Sequence, residues 1–174
     1  MTLNERCRQI EVILSDVDGV LTDGRITLDN RGNETKRFNN QDGMGIKLWQ
    51  STGRRFGLIT LRNSEVVNLR AGELGIQIVR QGTVDKRPTF DEILAELRLT
   101  AEQACYLGDD LPDLPVIRAA GLGVAVADAC TEVCDAADYV TKALGGSGAV
   151  RETIEMILKT QGRWKDAIRP YTEP

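Results

Sequence analysis

The chain has 174 residues, of which 41% are hydrophobic and 28% are charged, and its formal net charge is −4. These values are typical of one soluble globular domain, and the acidic balance argues against a nucleic-acid binder, which would carry clustered Lys and Arg. The sequence contains no histidine, which excludes Ser–His and Cys–His nucleophile pairs and every His-ligated metal site.

The termini and the cysteines suggest no targeting segment and no zinc site. Residues 1–10 are polar and lack the apolar core of a signal peptide, and the apolar runs elsewhere are too short to span a membrane. Of the four cysteines, Cys130 and Cys134 are four residues apart, but no second pair or histidine completes a zinc site. We therefore expect reduced structural thiols. These features predict a cytoplasmic protein.

Short apolar runs alternate with helical patterns along the chain. The predicted strands are residues 12–14, 56–59, 76–79, 105–107 and 123–126. The predicted helices are residues 43–51, 64–74, 87–97, 113–119 and 149–160. This alternation predicts an α/β fold with a Rossmann-like parallel sheet flanked by helices.

One segment interrupts the alternation. Residues 25–28 and 34–38 flank turn-forming residues at 29–33, which predicts a β-hairpin over residues 25–38 that projects from the sheet. We interpret residues 1–164 as one domain and residues 165–174 as a polar C-terminal tail with the composition of a mobile segment.

Several polar and charged residues follow predicted strands. Asp16 and Asp18 come directly after strand 12–14, and in an extended segment such residues point the same way. Asp109 follows strand 105–107, Thr60 ends strand 56–59, and Lys86 follows the third strand. Because ligands bind beyond the carboxyl ends of parallel strands, we expect these residues to share one site.

Together these residues favour metal-assisted phosphoryl transfer. Carboxylates would hold Mg²⁺, Asp16 would attack phosphorus, and Asp18 would act first as the acid and then as the base. Thr60 and Lys86 would stabilise charge on the transferring group. Singly, each feature has a plainer interpretation: a solvated turn or calcium loop for Asp-x-Asp-Gly, a helix cap for 109–113, a strand end for Thr60 and a surface charge for Lys86.

The order of these motifs resembles that of the haloacid dehalogenase-like phosphatases. Residues 16–24 read Asp-Val-Asp-Gly-Val-Leu-Thr-Asp-Gly, residues 108–113 read Gly-Asp-Asp-Leu-Pro-Asp, and the resemblance runs from about residue 12 to residue 164. It implies that Asp16 is the nucleophile and Asp18 the acid/base. It also implies that Asp16, the backbone carbonyl of Asp18 and Asp109 bind magnesium, and that Thr60 and Lys86 bind phosphate.

Matches at 38–46, 81–86, 124–129, 137–141 and 145–152 resemble a branch of the family that acts on phosphorylated sugar acids. They imply 3-deoxy-D-manno-octulosonate 8-phosphate as the substrate. The positions at which the family contacts substrate are Asn39, Asn40, Gln41, Asp42, Gly43, Lys47, Arg62 and Arg70. Arg62 and Arg70 are eight residues apart, so their faces would roughly coincide along one helix and could bind a carboxylate.

Three positions depart from the pattern of this branch. Leu61 stands where Gly is usual, Gln41 stands where Arg often precedes Asp-Gly, and Lys47 stands where Arg is frequent. Lys does not reproduce the bidentate grip of Arg on a carboxylate. A nine-carbon sugar acid 9-phosphate, of the KDN or sialic-acid type, therefore remains an alternative substrate.

The motif spacing leaves no room for a separate cap domain, since 41 residues separate Asp18 from Thr60 and 25 separate Thr60 from Lys86. For such a capless member, the resemblance implies a homotetramer assembled through the hairpin. The acidic charge and the short apolar runs predict neither nucleic acid nor membrane as a partner.

Two other functions stay open. One is a phosphatase for nucleotides or small esters, or a phosphomutase, although a mutase needs a closing cap. The other is a non-catalytic oligomerisation module, which the retained acidic residues disfavour.

Overall fold

The computed structural model describes residues 1–173. Six parallel strands form one sheet in the order β5-β4-β1-β6-β7-β8. The strands are β1 (Val12–Ser15), β4 (Arg55–Ile59), β5 (Ile78–Arg80), β6 (Ala104–Gly108), β7 (Leu122–Ala125) and β8 (Tyr139–Val140). The order reverses at β1, which lies between β4 and β6, so the carboxyl ends of these three strands form the crevice where ligands bind in such sheets.

Helices cover both faces of the sheet. They are α1 (Leu3–Gln9), α2 (Asn40–Ser51), α3 (Glu65–Leu74), α4 (Lys86–Leu97), α5 (Leu114–Ile117), α6 (Thr131–Ala136), α7 (Ala149–Thr160) and α8 (Trp164–Thr172). The core has two parts, one on each face of the sheet, because successive side chains of β1 point to opposite faces. Ile13 packs with residues of α1, α2, α3 and α7, whereas Val12 and Leu14 pack with α4, α5 and α6. The predicted α/β class and the parallel sheet are confirmed.

The predicted hairpin is present but shorter than expected. Strands β2 (Thr27–Leu28) and β3 (Glu34–Thr35) pair antiparallel over two positions, as a sheet of their own. The remaining residues of the predicted strands, 25–26 and 36–38, do not take part in this pairing. No helix in the described part of the chain is long and apolar enough to cross a membrane.

Residues 165–172 of the predicted polar tail belong to helix α8, which begins at Trp164. One face of α8 is apolar: Ala167 is buried, and Trp164 and Ile168 pack against the core. Arg151 and Lys159 of α7 lie over the Trp164 ring at 5.2 and 5.3 Å. Sparse apolar residues at helical spacing therefore dock a segment whose composition is otherwise polar. Pro174 lies outside the described residues.

Candidate active site

A carboxylate cluster lies at the carboxyl ends of β1 and β6. Asp16 follows β1, while Asp109 and Asp113 follow β6. One oxygen from each of the three side chains lies within 4.8 Å of the others. The parallel pairing of β1 with β6 brings together residues that are more than ninety positions apart in the sequence.

The three carboxylates are not equally free to bind a cation. Asp113 Oδ1 accepts hydrogen bonds from Lys86 Nζ and the Tyr106 hydroxyl, at 2.7 and 2.6 Å. Its Oδ2 accepts from the backbone N–H of Asp109 at 3.0 Å. Asp109 Oδ1, in contrast, is buried without a hydrogen-bond partner. Asp113 is thus an anchor, and Asp109 carries the oxygen that a metal ion would satisfy.

The backbone of the Asp16 loop approaches Asp109 closely because it contains glycine. Gly19 has φ +89°, and a Cβ there would overlap Asp109 Oδ2. Gly19 therefore allows both the left-handed conformation and the contact. The approach places the loop carrying Asp16 and Asp18 against Asp109.

Burial and mutual repulsion raise the pKa of two members of the cluster. Burial, and then the charge of Asp113, raises the pKa of Asp16 to about 6 against the opposing pull of Lys86. Burial, then Asp113 and Asp16, raises the pKa of Asp109 to about 8. Three carboxylates facing one ammonium leave negative charge that a divalent cation would neutralise.

Lys86 and Thr60 border the cluster. Lys86 begins α4, is 1% exposed, and places its ammonium 2.7 Å from Asp16 Oδ2 and 2.7 Å from Asp113 Oδ1. Burial opposes its charge, but Asp16 and Asp113 outweigh burial and raise the pKa of Lys86. Thr60 directly follows β4 and is 2% exposed, and its backbone is fixed by hydrogen bonds to Arg80 and Thr83.

Asp18 lies on the same loop but its side chain turns toward the hairpin. Lys36 Nζ donates to Asp18 Oδ1 at 2.5 Å and also lies 3.2 Å from Glu34 Oε1. Sequence reasoning missed both Glu34 and Lys36. Their spacing of two residues at the start of the predicted strand 34–38, which puts both side chains on one face, was the available signal.

The two arginines do not share a helix face. Arg62 precedes α3, in the turn after β4, where it lies 3.9 Å from Asp18 Oδ2 and donates to Glu34 at 3.0 Å. Arg70 lies on α3, where its guanidinium stacks 5.7 Å from the Phe38 ring centre and pairs with Glu73 at 3.0 Å. The inference from helical spacing is therefore wrong, because α3 begins only at Glu65.

The segment expected to contact substrate begins α2. The side chain of Asn39 caps this helix by accepting from the N–H groups of Gln41 and Asp42. The Asp42 carboxylate is 1% exposed and accepts from the N–H groups of Gly148 and Arg151 at the start of α7. Asp42 therefore joins two helices, a structural contact that the sequence did not reveal. Asn40, Gln41 and Lys47 are exposed, and Gly43 is packed against the Arg70 guanidinium.

The segment between β8 and α7 packs against the loop that carries Asp16 and Asp18. A Cβ at Gly145 would overlap the carbonyl oxygen of Gly19. Asp128 accepts from the Gly145 N–H at 2.8 Å, and Glu152 accepts from the N–H groups of Lys142 and Ala143 at 2.9 Å each. Buried backbone polar groups are thus satisfied by carboxylates, which fix the segment beneath the loop.

This arrangement suits transfer of a phosphoryl group. Asp16 presents a carboxylate at the crevice, with the Lys86 ammonium beside it and the partly unsatisfied carboxylate of Asp109 nearby. Asp18 is a second carboxylate on the same loop, but its side chain lies outside the carboxylate cluster of Asp16, Asp109 and Asp113. It can therefore exchange protons without its side chain binding a metal ion.

The comparisons with known proteins agree with this chemistry. The model of the haloacid dehalogenase-like hydrolases matches residues 61–151. The 3-deoxy-D-manno-octulosonate 8-phosphate phosphatase of Yersinia pestis is 42% identical over 163 residues, which cover 94% of this chain and 87% of that protein.

Two solved structures are also similar throughout. A probable YrbI family phosphatase from Pseudomonas syringae is 48% identical, with a TM-score of 0.96, covering 99% of this chain and 98% of its own. The 3-deoxy-D-manno-octulosonate 8-phosphate phosphatase of Moraxella catarrhalis is 39% identical, with a TM-score of 0.94 and 97% of each chain covered. The latter was solved with a magnesium ion, a phosphate ion and a KDO molecule.

Proposed function

Because the chain belongs to the haloacid dehalogenase-like hydrolases, we propose that it is a magnesium-dependent phosphatase that hydrolyses 3-deoxy-D-manno-octulosonate 8-phosphate through an aspartyl-phosphate on Asp16. One observation carries the proposal. The Asp16 carboxylate lies beside the Lys86 ammonium, 2.7 Å away, and within one cluster with Asp109, whose buried Oδ1 has no partner. A nucleophile, a phosphate-binding cation and a metal ligand are thus together.

The chain's own residues account for the first half of the reaction. Lys86 and Thr60 hold the phosphoryl oxygens and stabilise the charge that develops on them. Asp16 attacks phosphorus in line with the sugar oxygen and forms the acyl phosphate. Asp16, the backbone carbonyl of Asp18 and Asp109 would hold Mg²⁺, which supplies charge neutralisation between the phosphate and the carboxylates.

Asp18 serves both halves of the reaction. As an acid it gives a proton to the leaving sugar oxygen, and as a base it takes a proton from the water that attacks the acyl phosphate. Its position on the Asp16 loop, but outside the side-chain cluster of Asp16, Asp109 and Asp113, supports this division of labour.

The substrate assignment rests on the similarity to sugar-acid phosphatases and on nearby basic residues. Arg62 is half exposed beside Asp18, and Arg70 and Lys47 border a groove with Asn40 and Gly43. Guanidinium groups suit a ligand that carries a carboxylate as well as a phosphate. A nine-carbon sugar acid 9-phosphate has the same charged groups and is the second candidate substrate.

We also propose a homotetramer assembled through the hairpin of β2 and β3. The hairpin presents two exposed apolar side chains, Ile26 at 47% and Leu28 at 57% exposure. The crevice of this capless chain is open, and a neighbouring subunit would cover it.

Phosphate release over a substrate panel tests the activity. The panel contains the eight-carbon and nine-carbon sugar acid phosphates, a hexose 6-phosphate and a nucleoside monophosphate. We expect the eight-carbon substrate to have the highest kcat/KM and Asp16→Asn to abolish turnover of all four while the fold, measured by circular dichroism, is retained. Preference for a nucleotide or a neutral sugar would contradict the substrate, and an active Asp16→Asn would contradict the mechanism.

A further inference from the structure

The hairpin reaches the catalytic loop through a buried ion pair. The side chain of Lys36, which follows β3, is 1% exposed and donates to Asp18 Oδ1 at 2.5 Å. Its ammonium also lies 3.2 Å from Glu34 Oε1. An ammonium this deeply buried is costly unless it is paired, so the contact fixes the base of the hairpin against the loop.

Glu34 is held in turn by the segment after β4. Arg62 Nη2 donates to Glu34 Oε1 at 3.0 Å, and the Ser64 hydroxyl donates to Oε2 at 2.5 Å. Glu34 therefore cannot swing away from Lys36 without breaking two further contacts. The network connects the loop after β1, the base of the hairpin and the turn that precedes α3.

We propose that Lys36 is a positioning residue for Asp18, an inference that rests on the proposed acid/base role of Asp18. Lys36 holds one oxygen of the carboxylate, Oδ1. Within residues 1–173, Oδ2 accepts no hydrogen bond, and its ion-pair partner, Arg62 Nε, is 3.9 Å away. With Oδ1 fixed by Lys36, Oδ2 is the carboxylate oxygen that is free to exchange a proton.

The proton balance assigns both transfers to Oδ2. In the first step Oδ2 gives its proton to the leaving oxygen, so that the sugar departs as an alcohol while Asp16 becomes phosphorylated. In the second step the ionised Oδ2 takes a proton from water as the water oxygen attacks phosphorus. Inorganic phosphate leaves, Asp16 is regenerated as a carboxylate and Asp18 is protonated again.

Lys36→Met tests the positioning role, because Met keeps much of the side-chain length and removes the ammonium. We expect kcat to fall about ten- to a hundredfold, part of the total that acid–base catalysis contributes, while KM changes less than about threefold. The matched control is Arg31→Met, since Arg31 lies exposed in the turn of the same hairpin. A rise in KM with unchanged kcat would overturn the proposal and make Lys36 a substrate-binding residue.

A double-mutant cycle separates positioning from a general structural effect. If Lys36 acts through Asp18, then Lys36→Met should cost little in an Asp18→Asn background, less than about twofold. Equal losses in both backgrounds would overturn the proposal. If Lys36→Met shows no cooperative thermal transition, Glu34→Gln replaces it in the cycle. We expect Glu34→Gln to lower kcat less than Lys36→Met does, and to have no further effect on kcat in the Asp18→Asn background.

Two substrates distinguish this inference from the proposed function. The cycle is measured with the eight-carbon sugar acid phosphate and with phenyl phosphate, using enzyme in excess to detect slow variants. If the substrate assignment is wrong, the wild type turns over only phenyl phosphate. The cycle measured on that ester then still tests whether Lys36 acts through Asp18. Additive losses on phenyl phosphate would overturn the role of Lys36 while leaving the phosphatase assignment intact.

Discussion

Asp109 and Asp113 show how one strand end supplies two carboxylates with different roles. Every oxygen of Asp113 accepts a hydrogen bond from the protein, whereas Asp109 keeps a buried oxygen without a partner. Burial and its acidic neighbours raise the pKa of Asp109 to about 8, so the ionised carboxylate is under electrostatic strain. A divalent cation would relieve that strain, so metal binding should stabilise the folded chain.

Magnesium should therefore raise the melting temperature. At a concentration about 100 times its dissociation constant, it should add about 2.7 kcal/mol, which for a chain of this size is a rise of roughly 5–10 °C. Asp109→Asn should abolish most of that rise. Differential scanning calorimetry, with chelator as the reference, measures it. Asp110→Asn is the control, because Asp110 is exposed and Asn also caps the following turn; equal responses of the two variants would contradict the assignment.

The two arginines should affect selectivity differently from a general phosphate contact. If Arg62 or Arg70 binds the sugar carboxylate, its replacement by Ala removes a charge-assisted hydrogen bond and should lower kcat/KM about ten- to a hundredfold on the sugar acid phosphate. A hexose 6-phosphate lacks the carboxylate, so its turnover should change little. Assaying each variant with both substrates provides the measurement. Equal losses on both would assign the arginines to phosphate binding or to structure.

At the scale of elements, the segment between β8 and α7 determines where the catalytic loop can lie. Three carboxylates, from Asp42, Asp128 and Glu152, accept hydrogen bonds from its backbone N–H groups. They leave the backbone of Gly145 in contact with Gly19, whose own backbone approaches Asp109. A displacement at Gly145 would therefore reach the metal site through two backbone contacts.

Gly145→Ala should damage activity more than its small size suggests. The new Cβ would overlap the Gly19 carbonyl, so the catalytic loop must shift, and we expect at least a tenfold loss of kcat/KM and a destabilisation of about 1–3 kcal/mol. The control is Gly72→Ala in α3, where a Cβ meets open space and should stabilise by about 0.5–1 kcal/mol. Thermal melts and phosphatase assays measure both; wild-type activity in Gly145→Ala would refute the coupling.

Periodicity predicted elements that bury one clear face, such as α7, and missed several that do not. Helix α7 was predicted at its observed bounds because its apolar residues recur at helical spacing. Strand β8 was missed because it has two residues and pairs only with β7. Helices α1 and α6 have one buried residue each and gave little periodic signal.

The candidate site was predictable only where topology decides it. In a parallel sheet the loops after neighbouring strands must converge, which brings Asp16 and Asp109 together whatever the intervening sequence. No comparable topological rule predicts the side-chain contacts of the hairpin or of α2 with other elements. For that reason the sequence did not predict that Lys36 reaches Asp18 or that the Asp42 carboxylate caps α7.

At the scale of the whole molecule, the hairpin has two distinct ends. Its base is polar and buried in the Glu34–Lys36–Asp18 network. Its outer part carries Ile26, which precedes β2, and Leu28 of β2; both side chains are exposed. A polar base fixes the orientation of the hairpin, and an exposed apolar surface of this kind is typical of a protein interface.

We therefore expect the intact chain to behave as a particle of about four times 19.1 kDa in multi-angle light scattering. The double variant Ile26→Lys, Leu28→Thr should dissociate it, because a charge replaces one apolar contact and a small polar strand former replaces the other. Gln9→Lys, with the same change of charge on the exposed surface of α1, should remain assembled. If neighbouring subunits cover the crevice, kcat/KM should fall with dissociation, since water then enters the site. A monomeric wild-type chain with full activity would show that the crevice works uncovered and would contradict the tetramer.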